Sequence, residues 1–261
     1  MGEPTKIVWL TDLHIGAHWE GSDIDPARNL AQIVRMIRRY HSDAAACVIS
    51  GDLTESGGEA EYDALTALLS DIQVPLLAMI GNHDRRDALM SAFPPPGRAL
   101  EGFQQYRVDV GGLSVIALDT HIPGEPGGML CETRRAWLAD ELARTPDTPV
   151  LVFMHHPPVE LGLPMLDAMR CADGEEILDL MAGAGNVAHL FCGHVHRPTS
   201  GVARGVPFAT LRAVSMQAPP PWPPWDWEGF KPVDEMAQMG VILANGRDVV
   251  IHALDLTYGD A

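Results

Sequence analysis

Ile7-Val8-Trp9-Leu10-Thr11-Asp12-Leu13-His14 is the stretch that decides the fold. An apolar run long enough for one buried strand gives way at once to a carboxylate and an imidazole two positions apart. The same sequence of events recurs along the chain. Residues 45–49 run into Gly51-Asp52, 75–80 into Gly81-Asn82-His83-Asp84, 150–154 into His155-His156, and 187–192 into Gly193-His194-Val195-His196. In open α/β sheets, ligands bind beyond the carboxyl ends of the strands. Polar clusters that each follow a strand can therefore converge on one edge. Asp12, His14, Asp52, Asn82, His155, His194 and His196 are of the types that hold hard or borderline divalent cations. They suffice for two cations sharing one carboxylate, an arrangement that hydrolyses phosphate esters.

In extended chain Asp12 and His14 share a face, and His194 and His196 repeat that spacing. Asp52 stands between the groups in sequence and is the natural bridge, one oxygen for each cation. Asn82 adds a neutral carbonyl oxygen. Each motif alone has a plainer explanation: Asp-x-His is common, Gly-Asn-His-Asp fits a turn, and His155 fits a loop. Their joint occurrence, in order and each behind a strand, points to a metal centre. His18, His41, His121, His156, His189 and His252 are left as ordinary histidines, with His121 and His156 the candidates for a pocket lining.

Between the motifs, Asp25 is placed to cap a helix over 26–40 that Pro26 opens. A second helix spans 59–70, with Leu65, Leu68 and Leu69 on one face. This alternation predicts parallel strands in the first third. Farther on, 105–110 and 113–118 read as a hairpin closed by Gly111-Gly112, 133–144 and 173–182 as helices, and 240–256 as two strands around Asn245-Gly246. The expected class is α/β or α+β, a two-sheet β sandwich flanked by helices, because the strands are too many for one compact sheet.

The expected division is a core over 1–200, a small Trp/Pro-rich cap or oligomerisation segment over 201–239, and strands over 240–261 that complete the core. The run from Pro219 to Trp227 is too rich in proline for a helix or a central strand. It reads either as a stiff loop folded on the core or as a cap that shapes a pocket or an oligomer contact.

The 261 residues carry a net charge of -17, from 35 acidic and 18 basic side chains, and 46% are hydrophobic. That composition supports a packed core. It also disfavours long nucleic acid as a substrate, because an acidic surface repels polyanions. A small phosphate ester remains open, since bound cations dominate the field inside a site. Cys47, Cys171 and Cys192 read as reduced core residues and Cys131 as a loop residue, with no Cys-x-x-Cys pair among them. Residues 1–5 show no basic or long apolar leader, and no run reaches the roughly 20 apolar residues of a membrane span. The expected location is the cytoplasm.

Asp-x-His, Gly-Asp, Gly-Asn-His-Asp, His and Gly-His-x-His, in this order across 6–197, resemble the calcineurin-like metallophosphoesterase superfamily. By that resemblance one cation takes Asp12, His14, Asp52 and His196, and the other takes Asp52, Asn82, His155 and His194. His83 faces the substrate as a catalytic residue, with Asp84 as its orienting partner. The branch is narrowed by what differs. Purple acid phosphatases carry Asp-x-Gly and a tyrosine where this chain has His14 and Glu55. Protein serine/threonine phosphatases carry Gly-Asn-His-Glu where this chain has Asp84. The string Met154-His155-His156-Pro157-Pro158 and the segment Phe191-Cys192-Gly193-His194 look like the bacterial class III cyclic nucleotide phosphodiesterases and the related glycerophosphodiesterases.

The resemblance implies hydrolysis of a small phosphodiester, cyclic or glycerol-linked, by a hydroxide shared between two cations of Fe, Mn, Zn or Co. It also implies a homo-oligomer assembled through the cap. A phosphomonoesterase or nucleotidase on the same site is the alternative, and a non-catalytic interaction module is the remote one.

Overall fold

In β1 (Thr5–Leu10), Ile7 and Trp9 face one way, Val8 and Leu10 the other, and all four are fully buried. A strand with both faces covered reads as a continuous apolar run, and this one is covered by helices on one side and by a second sheet on the other. The computed structural model describes residues 3–19 and 22–256. Met1 and Gly2 of the N-terminal segment and 257–261 of the C-terminal one lie outside the described residues.

After β1 the chain forms α1 (Pro26–Tyr40), β2 (Ala46–Ile49), α2 (Glu59–Leu69), β3 (Leu76–Ala78), α3 (Arg86–Ala92), β4 (Arg98–Ala99), β5 (Tyr106–Val110) and β6 (Leu113–Leu118). It continues as α4 (Glu132–Arg144), β7 (Val150–Met154), α5 (Pro164–Asp167), α6 (Gly174–Ala184), β8 (Val187–Cys192), β9 (Ser200–Ala203), β10 (Val206–Thr210), β11 (Gln238–Asn245) and β12 (Asp248–Asp255). The five-stranded sheet has the order β12-β11-β1-β2-β3, and the seven-stranded sheet the order β4-β5-β6-β7-β8-β10-β9. β1, β2 and β3 run parallel, as do β6, β7, β8 and β10. The two-sheet sandwich flanked by helices is the expected class.

Ile7, Trp9, Val48 and Met79 from the first sheet meet Tyr106, Val115, Phe153 and Phe191 from the second. Trp9 sits edge-on to Phe191 at 5.1 Å, and its indole N–H donates to Ser50 Oγ at 2.9 Å. Val8, Leu10 and Ile49 pack outward on Leu30, Ile33 and Ile37 of α1 and Leu65 of α2. Val152, Met154 and Leu190 do the same against Leu138 of α4 and Ile177 of α6. Asp25 Oδ1 accepts the backbone N–H of Arg28 at 3.0 Å, closing the first turn of α1.

The stretch 201–239 does not behave as one cap. Ser200–Ala203 and Val206–Thr210 are β9 and β10 at the edge of the second sheet, so the sheet extends past residue 200. Pro207 hid that strand, but β10 lies one place from the edge and its partner β9 is short, so the missing N–H is tolerated. The helix α3 and the short elements β4 and α5 also carried no readable period.

Candidate metal centre

Five turns bring the expected ligands together. Those after β1, β2 and β3 supply Asp12, His14, Asp52 and Asn82 from the first sheet, and those after β7 and β8 supply His155, His194 and His196 from the second. The centre therefore straddles the seam between the sheets. Asp12, His14, Asp52, His155, His194 and His196 are all buried.

The chain does not reach this arrangement in extended form. Asp12, His14, Asp52, His194 and His196 have φ of 53°, 44°, 50°, 71° and 49°. Among the described residues, Arg204 is the only other non-glycine residue with positive φ. Left-handed backbone disfavours L-residues by about 1–2 kcal/mol each, so packing must hold it. The expectation that Asp12 and His14 lie along extended chain is thus corrected: tight turns, not strand alternation, aim both side chains. Backbone hydrogen bonds between neighbouring turns fix them, from Asp12 N–H to Gly51 O at 3.1 Å and from His14 N–H to Asp52 O at 3.0 Å. The motif glycines leave room for this crowding. A Cβ at Gly81 would overlap the Asp52 carboxylate, and one at Gly51 would overlap the His155 ring.

In one group, His14 Nε2 lies 3.2 Å from His196 Nε2 and 3.5 Å from Asp52 Oδ2, while His196 Nε2 lies 3.3 Å from Asp12 Oδ1. In the other, His155 Nε2 lies 3.2 Å from Asp52 Oδ2 and 3.2 Å from Asn82 Oδ1, and His194 Nδ1 lies 3.0 Å from Asn82 Oδ1. Asp52 belongs to both groups, but through Oδ2 alone. Its Oδ1 accepts the backbone N–H of His83 at 2.9 Å. The expected bridge by two oxygens is therefore corrected to one oxygen facing both groups.

The donor set fits cations. His14 Nδ1 faces the Glu55 carboxylate at 2.7 Å, His196 Nδ1 faces Met216 O at 2.8 Å, and His155 Nδ1 faces Ser50 O at 2.9 Å. Those oxygens only accept, so each Nδ1 carries the proton and each Nε2 turns a lone pair inward. Lone pairs and carboxylate oxygens converging in a buried space call for a divalent cation at each group. In the metal-free chain His155 and His196, each beside a carboxylate, hold their protons more tightly than an ordinary imidazole. Burial alone would lower the His155 imidazole, but the neighbouring Asp52 charge raises it to about 9. Burial likewise works against the Asp12 carboxylate, yet His196 beside it brings it down to about 2. Burial and then the His155 charge hold His194 at about 3.

His83 lies over the first group with its ring 4.6 Å from that of His14, and it lines the cavity above the ligands. Its Nδ1 donates to the backbone carbonyl of Glu55 at 2.9 Å. Asp84 is not its partner, which corrects the expectation drawn from their adjacency. The buried Asp84 carboxylate instead accepts from Leu53 N–H, Thr54 N–H and Oγ1, Gly81 N–H and the Tyr62 hydroxyl. It clamps the Asp52 turn to the Asn82 turn. Burial and the Asp52 charge push its carboxyl above the ordinary range.

The rest of the cavity lining is apolar: Trp19, Leu166, Met169, Val195, Met216, Ala218, Trp227 and Phe230. Among the described residues, no lysine or arginine lines the cavity. Trp225, Trp227 and Phe230 form a mutual cluster with centroids 5.4–5.5 Å apart, so the Trp/Pro segment does shape the pocket. Leu166 of α5 and nearby Met169 supply part of that apolar wall. His121 and His156 do not line the cavity. His156 lies buried behind the ligands, 2.7 Å from Thr120 Oγ1. In the sequence Glu55 shows only as a departure from another family; its contact with His14 becomes visible when the two turns are side by side.

A sequence profile described as calcineurin-like phosphoesterase matches residues 5–198. The chain is 39% identical over 216 residues to a probable cyclic nucleotide phosphodiesterase of Rhodopseudomonas palustris, covering 81% of this chain and 79% of that protein. It is 31% identical over 199 residues to the glycerophosphodiester phosphodiesterase GpdQ of Enterobacter lignolyticus, covering 75% and 72%. Among solved structures, a dimetal phosphatase from Danio rerio superposes with a TM-score of 0.74 at 17% identity, covering 96% of each chain.

Proposed function

The chain belongs to the calcineurin-like phosphoesterase family, and from that premise we propose that it is a metal-dependent phosphodiesterase acting on small phosphodiesters, either cyclic nucleotides or glycerophosphodiesters. The observation that carries the reading is a pair of ligand groups sharing Asp52 beneath a cavity with no lysine or arginine among its described lining residues. A diester presents one negative charge and two organic substituents. Cations with His83 suffice for the charge, and the aromatic wall suits a substituent. A dianionic monoester gains less from such a wall. The relatives named as cyclic nucleotide and glycerophosphodiester phosphodiesterases support the same class.

Asp12, His14, Asp52 and His196 would hold one cation, and Asp52, Asn82, His155 and His194 the other. When bound, the cations supply an activated water and offset the charge on the phosphoryl oxygens. His83 is held by Nδ1–H to the Glu55 carbonyl, so Nε2 is the atom that exchanges a proton with the leaving oxygen or donates to a phosphoryl oxygen. Asp84 acts at one remove by keeping the Asp52 and Asn82 turns in register.

The same reading includes self-association through the Trp/Pro segment, supported by Trp222, which is 77% exposed. Its cytoplasmic location is supported by four unpaired cysteines. No helix among the described residues is long and apolar enough to cross a membrane. The test is hydrolysis by manganese-loaded protein. The expected outcome is a preference for bis(p-nitrophenyl) phosphate over p-nitrophenyl phosphate, followed by turnover of a cyclic or glycerol diester. A preference for the monoester contradicts the reading.

A further inference from the structure

Glu55 occupies a position between the two histidines on which the site depends. Its Oε2 lies 2.7 Å from His14 Nδ1 and 3.8 Å from His83 Nδ1. Its backbone carbonyl takes the His83 Nδ1–H at 2.9 Å. Its own backbone N–H donates to Ile15 O at 3.1 Å, which pins it to the turn that carries His14. The side chain is 39% exposed and lines the cavity, so the apolar core does not require it. A carboxylate so placed on an exposed turn would ordinarily point to solvent. This one is turned inward onto a buried ring.

We propose that Glu55 is a positioning residue for the cation held by Asp12, His14, Asp52 and His196. Its carboxylate fixes His14 in the tautomer that turns Nε2 toward the cation, and it makes that nitrogen a stronger donor. A hydrogen bond from the distal ring nitrogen of a ligating histidine to a carboxylate has both effects, and losing it weakens metal binding about 10–100-fold. The backbone carbonyl of the same residue orients His83 and survives any side-chain replacement. The two anchors can therefore be separated by mutation. The inference rests on the two-cation reading of the site.

The test is calorimetric titration of the metal-free protein with manganese, for wild type, E55A and E55Q. Kinetics on bis(p-nitrophenyl) phosphate at increasing manganese complete it. The expected result for E55A is a loss of about 10–100-fold in affinity for one cation and a smaller change for the other. E55Q falls between E55A and wild type, because its amide oxygen accepts the same N–H. At saturating manganese the kcat of E55A returns toward wild type, since the carbonyl that holds His83 is intact. The thermal midpoint of metal-free E55Q, which keeps an acceptor for the buried His14 N–H, stays at the wild-type value, which a structural defect would lower.

Wild-type affinity for both cations in E55A overturns the proposal, as does an E55Q as weak as E55A. A kcat for E55A that stays low at saturating metal does so too. A wild-type protein that binds two cations but hydrolyses no diester refutes the phosphodiesterase reading instead, and leaves the titration to decide the role of Glu55.

Discussion

The floor of the cavity is tied down by hydrogen bonds between turns of both sheets, whereas its aromatic wall is held by apolar contacts alone, ring on ring within the proline-rich segment and Trp225 and Phe230 on the cluster of Leu163, Leu166 and Val195. On the floor, five left-handed residues are locked by backbone bonds and by the buried Asp84 clamp. On the wall, Trp227 is 47% exposed, and its cluster partners are Trp225 and Phe230 of the same segment. On the proposed function the floor carries the chemistry, and its bonded turns leave the ligands little room to move. On the same proposal the wall meets the variable part of a substrate, and changes in it should leave the chemistry intact.

The sharpest way to break this contrast is D52A. It removes the one oxygen that faces both ligand groups, so activity should fall to background and metal analysis should find both cations lost. A variant with both cations and normal turnover would show that Asp52 is not the bridge. H83A should keep both cations while kcat falls about 10²–10⁴-fold, because only a proton-exchanging group is gone. Loss of metal in that variant would place His83 among the ligands.

The floor should also respond to pH. His155 carries a proton in the metal-free chain up to about pH 9 and must lose it to bind. Lowering the pH below that value should weaken binding at its group by about tenfold per unit, the slope for one displaced proton. His194, held at about 3, adds nothing to that slope above pH 4 or so. Titrations at several pH values give the slope directly, and a flat profile would contradict the proton-for-cation exchange.

The smallest effect is expected on the wall. W227A removes one aromatic face, worth about 0.5–1.5 kcal/mol, so KM for an aryl diester should rise about 2–13-fold with kcat and metal content unchanged. A collapse of kcat would mean that the wall supports the floor.

The contrast also explains what could be read from the residues alone. The floor was legible because each ligand follows an apolar strand and two-layer packing brings the strand ends to one seam. The turn geometry was not, since Asp-x-His looks alike in extended and left-handed chain. The role of Asp84 is hidden in the sequence because neighbours on a turn point apart; its partners come from Leu53, Tyr62 and Gly81. Glu55 was passed over because its contact with His14 exists only across two turns paired at Ile15 and Thr54. The wall was half legible. The aromatic segment stood out by composition, but Trp19, Leu166 and Met169 join it from regions without a period. β10 was concealed by Pro207.

The most direct test of the account is the metal stoichiometry of the wild-type protein, measured by titrating metal-free chain with manganese while following proton release. Two cations per chain, with protons released at neutral pH, is the predicted result. A single cation per chain, or two bound without displacing a proton, would contradict a centre in which Asp52 joins two ligand groups and protons stand in for the cations.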